Sequence, residues 1–192
     1  MFPPLTAYKI ILGSKSPRRQ LLLKELGIPF TTLTKDTSED YPADLKKEKV
    51  ALYLSELKAQ AFESDLTNDV LVITADTIVC VDDLILGKPT DEADAIRMLH
   101  LLSGRMHEVI TAVCLRSKER QYSFWVKTDV HFKRLSKDEI RYYVTKYAPY
   151  DKAGAYGVQE WIGFIGIEKI NGSYFNVMGL PLLELYQALL QF

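Results

Sequence analysis

The segment from Ile10 to Gly27 constrains the fold more than any other. Ile10, Ile11 and Leu12 make an unbroken apolar run that reads as a buried strand, and Gly13 lets the chain leave it in a tight turn. Ser16 then stands at a helix N-cap, and Pro17 takes the first helical position, where its missing N–H costs nothing. Leu22, Leu23 and Leu26 follow on one side of the helix, and Gly27 supplies a left-handed stop. The same junction gathers free backbone N–H groups, the hydroxyls of Ser14 and Ser16, and the guanidinium groups of Arg18 and Arg19. That is the chemistry of a phosphate site. An ordinary capped surface helix with solvated arginines accounts for the same residues, because the chain has neither a Walker loop nor a dinucleotide fingerprint.

With 192 residues the chain suits one generous domain or two closely joined lobes. Its 47 % hydrophobic and 26 % charged residues are those of a soluble globular protein. A formal net charge of −1 provides no global basic field for nucleic acid or anionic membrane, so any polyanion site must be local. No apolar stretch approaches the roughly 20 residues of a membrane span. Met1-Phe2-Pro3-Pro4 lacks the basic and long apolar regions of a signal peptide. Cys80 and Cys114 lie in apolar runs without CxxC or histidine spacing, as buried free thiols of a cytosolic protein do. Neither a nucleic-acid nor a membrane partner is expected, and the expected location is the cytoplasm.

The remaining pattern mixes strands and helices without strict alternation, which predicts a mixed sheet flanked by helices. Residues 28–33 read as a second strand, 34–42 as a polar loop, and 44–64 as a helix with Val50, Leu54, Leu57 and Ala61 on one stripe. Val70–Val81 is a long apolar strand interrupted by Asp76, and Asp82-Asp83 turns it into a hairpin with Leu84–Leu86. Thr90 is placed to cap an acidic-starting helix that ends near Ser103-Gly104. Two strands follow over 107–115 and 122–132; in the second, Tyr122, Phe124 and Val126 alternate towards one buried face. Ser136 and Glu139 form a capping box. Segments 164–170 and 173–177 flank Asn171-Gly172, a hairpin signal, and Pro181 opens a C-terminal helix.

Asp76 is the sharpest chemical anomaly, since a carboxylate inside Val72-Ile73-Thr74-Ala75 and Thr77-Ile78-Val79 is expensive to bury without a partner. It either hydrogen-bonds a nearby turn, binds a divalent metal, or accepts a proton from water. Glu39, in an acidic loop, is a candidate partner, although such residues are usually only solvated. Lys58 borders the apolar stripe of its helix, where most lysines snorkel over the core edge. Lys88 is fixed by Gly87 and Pro89 soon after the Asp76 strand and can neutralise a phosphate. Arg105, after Ser103-Gly104, is equally well explained by the helix dipole. His100, His107 and His131 show no ligand spacing and read as structural or surface residues. The glycine-dense loop Asp151-Lys152-Ala153-Gly154-Ala155-Tyr156-Gly157-Val158-Gln159 either tightens for packing or lets backbone approach a ligand, with Gln159 offering a donor and an acceptor to a base edge.

Taken in order, these pieces resemble the Maf family of nucleoside triphosphate pyrophosphatases. The resemblance rests on Ser14-Lys15-Ser16-Pro17-Arg18-Arg19, Glu39 before Tyr41-Pro42, Lys58-Ala59, Ala75-Asp76-Thr77, Gly87-Lys88-Pro89, and Ser103-Gly104-Arg105 with His107. The loop ending at Gln159, then Gly172-Ser173-Tyr174 and Asn176-Val177-Met178-Gly179-Leu180-Pro181, complete it over almost the whole chain. It implies a single Maf-like domain over 1–192, with an elongated mixed sheet in two lobes around a central cleft, like inosine triphosphate pyrophosphatases. It also implies cleavage of a nucleoside triphosphate to the monophosphate and pyrophosphate.

By that resemblance Asp76 is the proton acceptor, while Ser14, Arg19, Glu39, Lys58 and Lys88 line the phosphate and metal site. Glu39 and Asp76 would hold Mg²⁺ or Mn²⁺ together with phosphate oxygens. Family members that act on dTTP and UTP carry Arg, Thr and Gln where this chain has Arg18, Thr77 and Gln159; the sister group preferring 7-methyl-GTP has Trp in place of the Arg. The chain departs from the family pattern at Glu160, where Gly is common, and at Ala148-Pro149, where Glu-Pro is frequent. Glu160 adds a charge beside the expected base pocket. Two rival readings are a purine-preferring pyrophosphatase, acting on 7-methyl-GTP or inosine triphosphate, and a nucleotide-binding regulator of cell division without turnover. Family members are often dimers, so the resemblance allows a homodimer.

Overall fold

The computed structural model describes residues 8–192, so the Met1-Phe2-Pro3-Pro4 segment lies outside the described residues. Seven strands are joined in one mixed sheet: β1 Lys9–Leu12, β2 Thr31–Thr32, β3 Val70–Val81, β4 Leu84–Leu86, β5 Met106–Arg116, β6 Gln121–Phe132 and β7 Ile167–Asn171. Their order is β2-β1-β3-β5-β6-β7, with β4 on β3. β1 runs parallel to both β2 and β3, whereas the β3–β4 and β6–β7 pairs are antiparallel. The helices are α1 Pro17–Glu25, α2 Glu48–Gln60, α3 Glu92–Leu102, α4 Lys137–Tyr147, α5 Trp161–Gly166, α6 Tyr174–Met178 and α7 Leu182–Gln191.

The chain divides into two compact units. One comprises the described part of Met1–Asp76 with Thr111–Val126 and Gly179–Phe192; the other comprises Thr77–Ile110 and Lys127–Met178. In the first unit every β3 residue is buried, as the apolar run required, including Thr74 and Asp76. Ser16 caps α1 through its hydroxyl, Pro17 opens the helix, and Gly27 takes the left-handed conformation at φ 71°. Gly13 has no room for a side chain, since a Cβ there would lie 2.8 Å from the Phe62 ring and 2.9 Å from the Thr74 methyl. In the second unit α3 and α4 lie over a core that includes Val79, Leu99, Phe132, Ile140, Tyr143 and Val158.

Several local expectations are corrected. The helix expected over 44–64 is α2 followed by a short 3-10 turn at Glu63–Asp65, and the strand expected over 28–33 shrinks to the two exposed residues of β2. Asp91, not Thr90, caps α3: its carboxylate accepts from the Asp94 N–H at 2.8 Å. On β6 the expected parity is right, but burial begins at Thr128, Val130 and Phe132, while Tyr122 is exposed and Phe124 and Val126 are half-buried. The hairpin at Asn171-Gly172 does not form. β7 pairs instead with β6, from Asp129 opposite Asn171 to Phe132 opposite Ile167, and the first part of the expected 164–170 strand belongs to α5. After Gly172 the Ser173 N–H donates to Thr128 Oγ1 at 3.0 Å, and the Asn176 side chain donates to the Val109 carbonyl and to Thr128 Oγ1, both at 3.0 Å. These buried bonds start α6, with the Ser173 hydroxyl accepting from the Asn176 N–H, where a second strand would leave Thr128 without those partners.

Cys80 and Cys114 are buried free thiols, and burial pushes the Cys114 thiol up to about 11. His107 is buried in the second unit, edge-on to Phe132 and Tyr156, and shares a 2.8 Å hydrogen bond with the Tyr156 hydroxyl. Burial, aided by the charge of His131, lowers its pKa from 6.5 to about 3. The unfolded chain therefore takes up this proton first as pH falls, so the fold loses stability below pH 6.5, by up to about 1.4 kcal/mol per pH unit. His107→Gln is expected to flatten the melting temperature against pH between 6.5 and 4; a slope equal to that of the parent protein would contradict this account.

Candidate functional site

In the first unit the residues singled out from the sequence gather at the end of β1 and the middle of β3. Ser14 is buried, and its hydroxyl accepts the Ser16 N–H at 3.2 Å, which shapes the turn into α1. Arg19, half-buried on α1, donates from Nη1 to the Ala75 carbonyl at 2.8 Å and from Nε to the Gly179 carbonyl at 2.7 Å. Burial lowers the Arg19 pKa, while Asp76 and, more weakly, Glu39 favour its charge and Arg18 opposes it. Arg18 is half-buried on the same helix.

Asp76 finds its partner on α2. Lys58 Nζ donates to Asp76 Oδ1, and the same ammonium lies 3.9 Å from Glu39 Oε1. Asp76 is 8 % exposed, so the ammonium provides the compensation that a carboxylate in an apolar strand requires. The geometry of the pair follows from packing: Thr74 Oγ1 donates to the Ser55 carbonyl at 2.7 Å, pinning α2 to β3 three residues before Lys58 and two before Asp76. Sequence reasoning named Asp76, Glu39 and Lys58 but did not see that Lys58 joins the two carboxylates, nor the Ser55–Thr74 tie. Ser55, a small residue directly after Leu54 of the apolar stripe, was the available signal; the buried face of α2 runs through Val50, Ala51, Leu54, Ser55 and Ala59, while Leu57 and Ala61 are half-buried.

Thr77, Lys88 and Gln159 belong to the second unit. Thr77 is half-buried on β3 and Lys88 is exposed. The Lys88 loop and the loop leading to Gln159 are tied together, for the Gly154 N–H donates to the Gly87 carbonyl at 3.0 Å. Gly154 is left-handed at φ 68° and a Cβ there would stand 3.0 Å from Val79, while Ala155 also adopts a positive φ of 60°. That costs an L-residue about 1–2 kcal/mol and marks a loop held in a special shape. Gln159 Oε1 is buried and meets no hydrogen-bond donor among the described residues.

Glu160 does not stand as a bare charge. Its carboxylate accepts from the Tyr143 hydroxyl and lies 3.1 Å from the ammonium of Lys152, a buried lysine that also contacts Asp151 at 2.7 Å. Burial, and then the Glu160 carboxylate, raise the Tyr143 pKa, so the phenol remains a donor. This network was missed by sequence reasoning. A lysine among Ala, Gly and Tyr in a tight loop was its signal, because a buried ammonium must find an anion. Arg105 points elsewhere than the α3 end, to Asp82.

A mixed sheet flanked by helices, with the Lys58–Asp76 ion pair set into its strand β3, defines an α/β protein. The chain belongs to the Maf-like protein family, whose pattern matches residues 9–192. It is 52 % identical over 192 residues to the dTTP/UTP pyrophosphatase of Bacteroides fragilis, with 100 % of both chains covered. The dTTP/UTP pyrophosphatase of Parabacteroides distasonis is 48 % identical with 100 % coverage of both chains, and that of Porphyromonas gingivalis is 50 % identical, covering 100 % of this chain and 98 % of its own. Among solved structures, the Staphylococcus aureus Ham1 protein matches 95 % of this chain and 98 % of its own at 15 % identity, with a TM-score of 0.44.

Proposed function

We propose that this protein hydrolyses dTTP and UTP, together with modified pyrimidine nucleotides, to the monophosphate and pyrophosphate. The observation that carries the reaction is the contact of Lys58 with both Glu39 and Asp76, the latter a carboxylate buried within the long strand β3. The base assignment is supported by the relatives of about 50 % identity that are named dTTP/UTP pyrophosphatases.

In this reading Asp76 takes the proton of the attacking water. Lys58, paired with Asp76 here, turns to the triphosphate when substrate enters, which frees the carboxylate to act as base. Ser14, Arg19 and Lys88 offset the roughly four negative charges of the triphosphate, and Arg19 is already fixed by two backbone carbonyls. Arg18, Thr77 and Gln159 read the base. A divalent cation, Mg²⁺ or Mn²⁺, fits Glu39 and Asp76, since the two carboxylates already converge on one cationic centre. Among the described residues no group of three or more His, Cys, Asp or Glu side chains comes together, so phosphate oxygens and water would complete its shell, as suits Mg²⁺. When bound, the cation would neutralise phosphate charge and acidify the water it holds.

Among the described residues no helix is long and apolar enough to cross a membrane, and we place the protein in the cytoplasm. The test is pyrophosphate release from a panel of nucleoside triphosphates with Mg²⁺, Mn²⁺ or EDTA. Metal-dependent release fastest from dTTP and UTP is expected. Faster release from inosine or 7-methylguanosine triphosphate would keep the chemistry and remove the base assignment. No release from any nucleotide would leave a binding protein.

A further inference from the structure

We propose that Thr74 is a positioning residue for turnover: its hydroxyl bond to α2 keeps that helix on β3 while Lys58 leaves Asp76 for the triphosphate. The proposal deepens the hydrolytic reading above and rests on it.

Two bonds between α2 and β3 stand in line. Thr74 Oγ1 donates to the Ser55 carbonyl at 2.7 Å, and Lys58 Nζ donates to Asp76 Oδ1. Ser55 and Lys58 are three residues apart on one face of the helix, about 4.5 Å along its axis. Thr74 and Asp76 are two residues apart on one face of the strand, about 6.6 Å along it. The bonds are therefore successive crosslinks between the same two surfaces, and they differ in permanence. The ionic one opens in each turnover, since its ammonium is the one the triphosphate draws away. The neutral one has no competitor: Thr74 and Ser55 are both 0 % exposed, so no solvent reaches the hydroxyl to replace its acceptor.

The Ser55 hydroxyl is spent inside the helix, donating to the Leu52 carbonyl at 2.8 Å. The strand thus grips the helix by a backbone carbonyl, which fixes the helix itself and not a rotatable side chain. Thr74 has a second contact, through its methyl group. A Cβ on Gly13 would lie 2.9 Å from that methyl, and the Gly13 N–H donates to the Ile73 carbonyl at 2.8 Å. The hydroxyl therefore serves the helix that brings Lys58, and the methyl packs against the turn that leads to Ser14. Without the hydroxyl the polar hold of β3 on α2 falls to the ion pair. When Lys58 then swings away, the helix can drift from β3 and carry the lysine with it. A misplacement of about 1 Å in an active site can lower the rate about 100-fold.

Thr74→Val keeps the shape and the methyl contact but removes the hydroxyl, whereas Thr74→Ser keeps the hydroxyl. Pyrophosphate release from dTTP by the full chain is expected to show kcat down about tenfold or more in Thr74→Val with KM within about threefold, because Arg19 and the turn at Ser14 do not depend on the hydroxyl. Thr74→Ser should keep kcat within about threefold of the parent. Amide exchange of residues 55–60 without nucleotide gives a readout apart from turnover. Thr74→Val alone and Lys58→Met alone each leave one crosslink and should speed exchange modestly; together they should speed it about tenfold beyond the product of the single effects. An unchanged kcat in Thr74→Val, equal losses in Thr74→Val and Thr74→Ser, a loss confined to KM, or exchange effects that simply multiply would overturn the proposal. A parent protein that releases no pyrophosphate from any nucleoside triphosphate would instead remove the hydrolytic reading, and the proposal with it.

Discussion

Asp76→Asn is expected to lower triphosphate turnover by about 10²–10⁴-fold, the usual contribution of a positioned general base. The amide keeps the shape of the carboxylate and can accept from Lys58, but it cannot take a proton from water. Lys58 is left without its nearest anion, although Glu39 at 3.9 Å remains and the lysine side chain retains 19 % exposure. The fold should therefore survive, with a modest drop in melting temperature, and triphosphate affinity should hold or rise as a negative charge leaves the site. The measurements are kcat, nucleotide affinity by calorimetry, and thermal unfolding on one preparation. Turnover near that of the parent, or losses of turnover and binding in equal measure, would remove Asp76 from the role of base.

The second large effect falls on stability. Arg19→Ala removes the donors to the Ala75 and Gly179 carbonyls. A buried acceptor left without a partner costs about 1–3 kcal/mol, so the pair together costs about 2–5 kcal/mol, less whatever water recovers at this half-buried site. For a chain of this size that is a fall in melting temperature on the order of 10 °C. Arg19→Lys should recover little, because a single ammonium on a flexible stem does not reproduce the fixed fork that reaches two carbonyls. A fall under about 2 °C, accompanied by weaker triphosphate binding, would show that Arg19 acts on ligand and not as a strut.

The features that the sequence made legible are those fixed by neighbours along the chain. The α1 cap, the limits of β3, the turn at Asp82 and the capping box of Ser136 and Glu139 each depend on residues within a few positions, and each was read correctly. Asn171-Gly172 failed because its local preference competes with Thr128 and Val109, more than forty residues away, whose polar groups Ser173 and Asn176 satisfy. The same rule governs the site. A carboxylate amid valines and isoleucines stands out on its own, so Asp76 was visible. Its union with Lys58 was not, for it exists only because α2 is pinned to β3 by Thr74 and Ser55. Glu160 was visible only as an unexplained charge; Tyr143 and Lys152 give it a use, and neither is adjacent to it in sequence.

The division into units also bears on how the protein can be made. The first unit is assembled from three separate stretches of chain and the second from two, so neither corresponds to one contiguous fragment. Neither can be obtained by truncation or moved as a cassette between genes. On the ribosome the first unit cannot be completed when its part before Thr77 emerges, because its piece Gly179–Phe192 follows the second unit in the chain. The bond from Arg19 to the Gly179 carbonyl spans 160 positions and closes only at that point. A nascent chain therefore carries the turn into α1 through the synthesis of the second unit before the strut that fixes it exists.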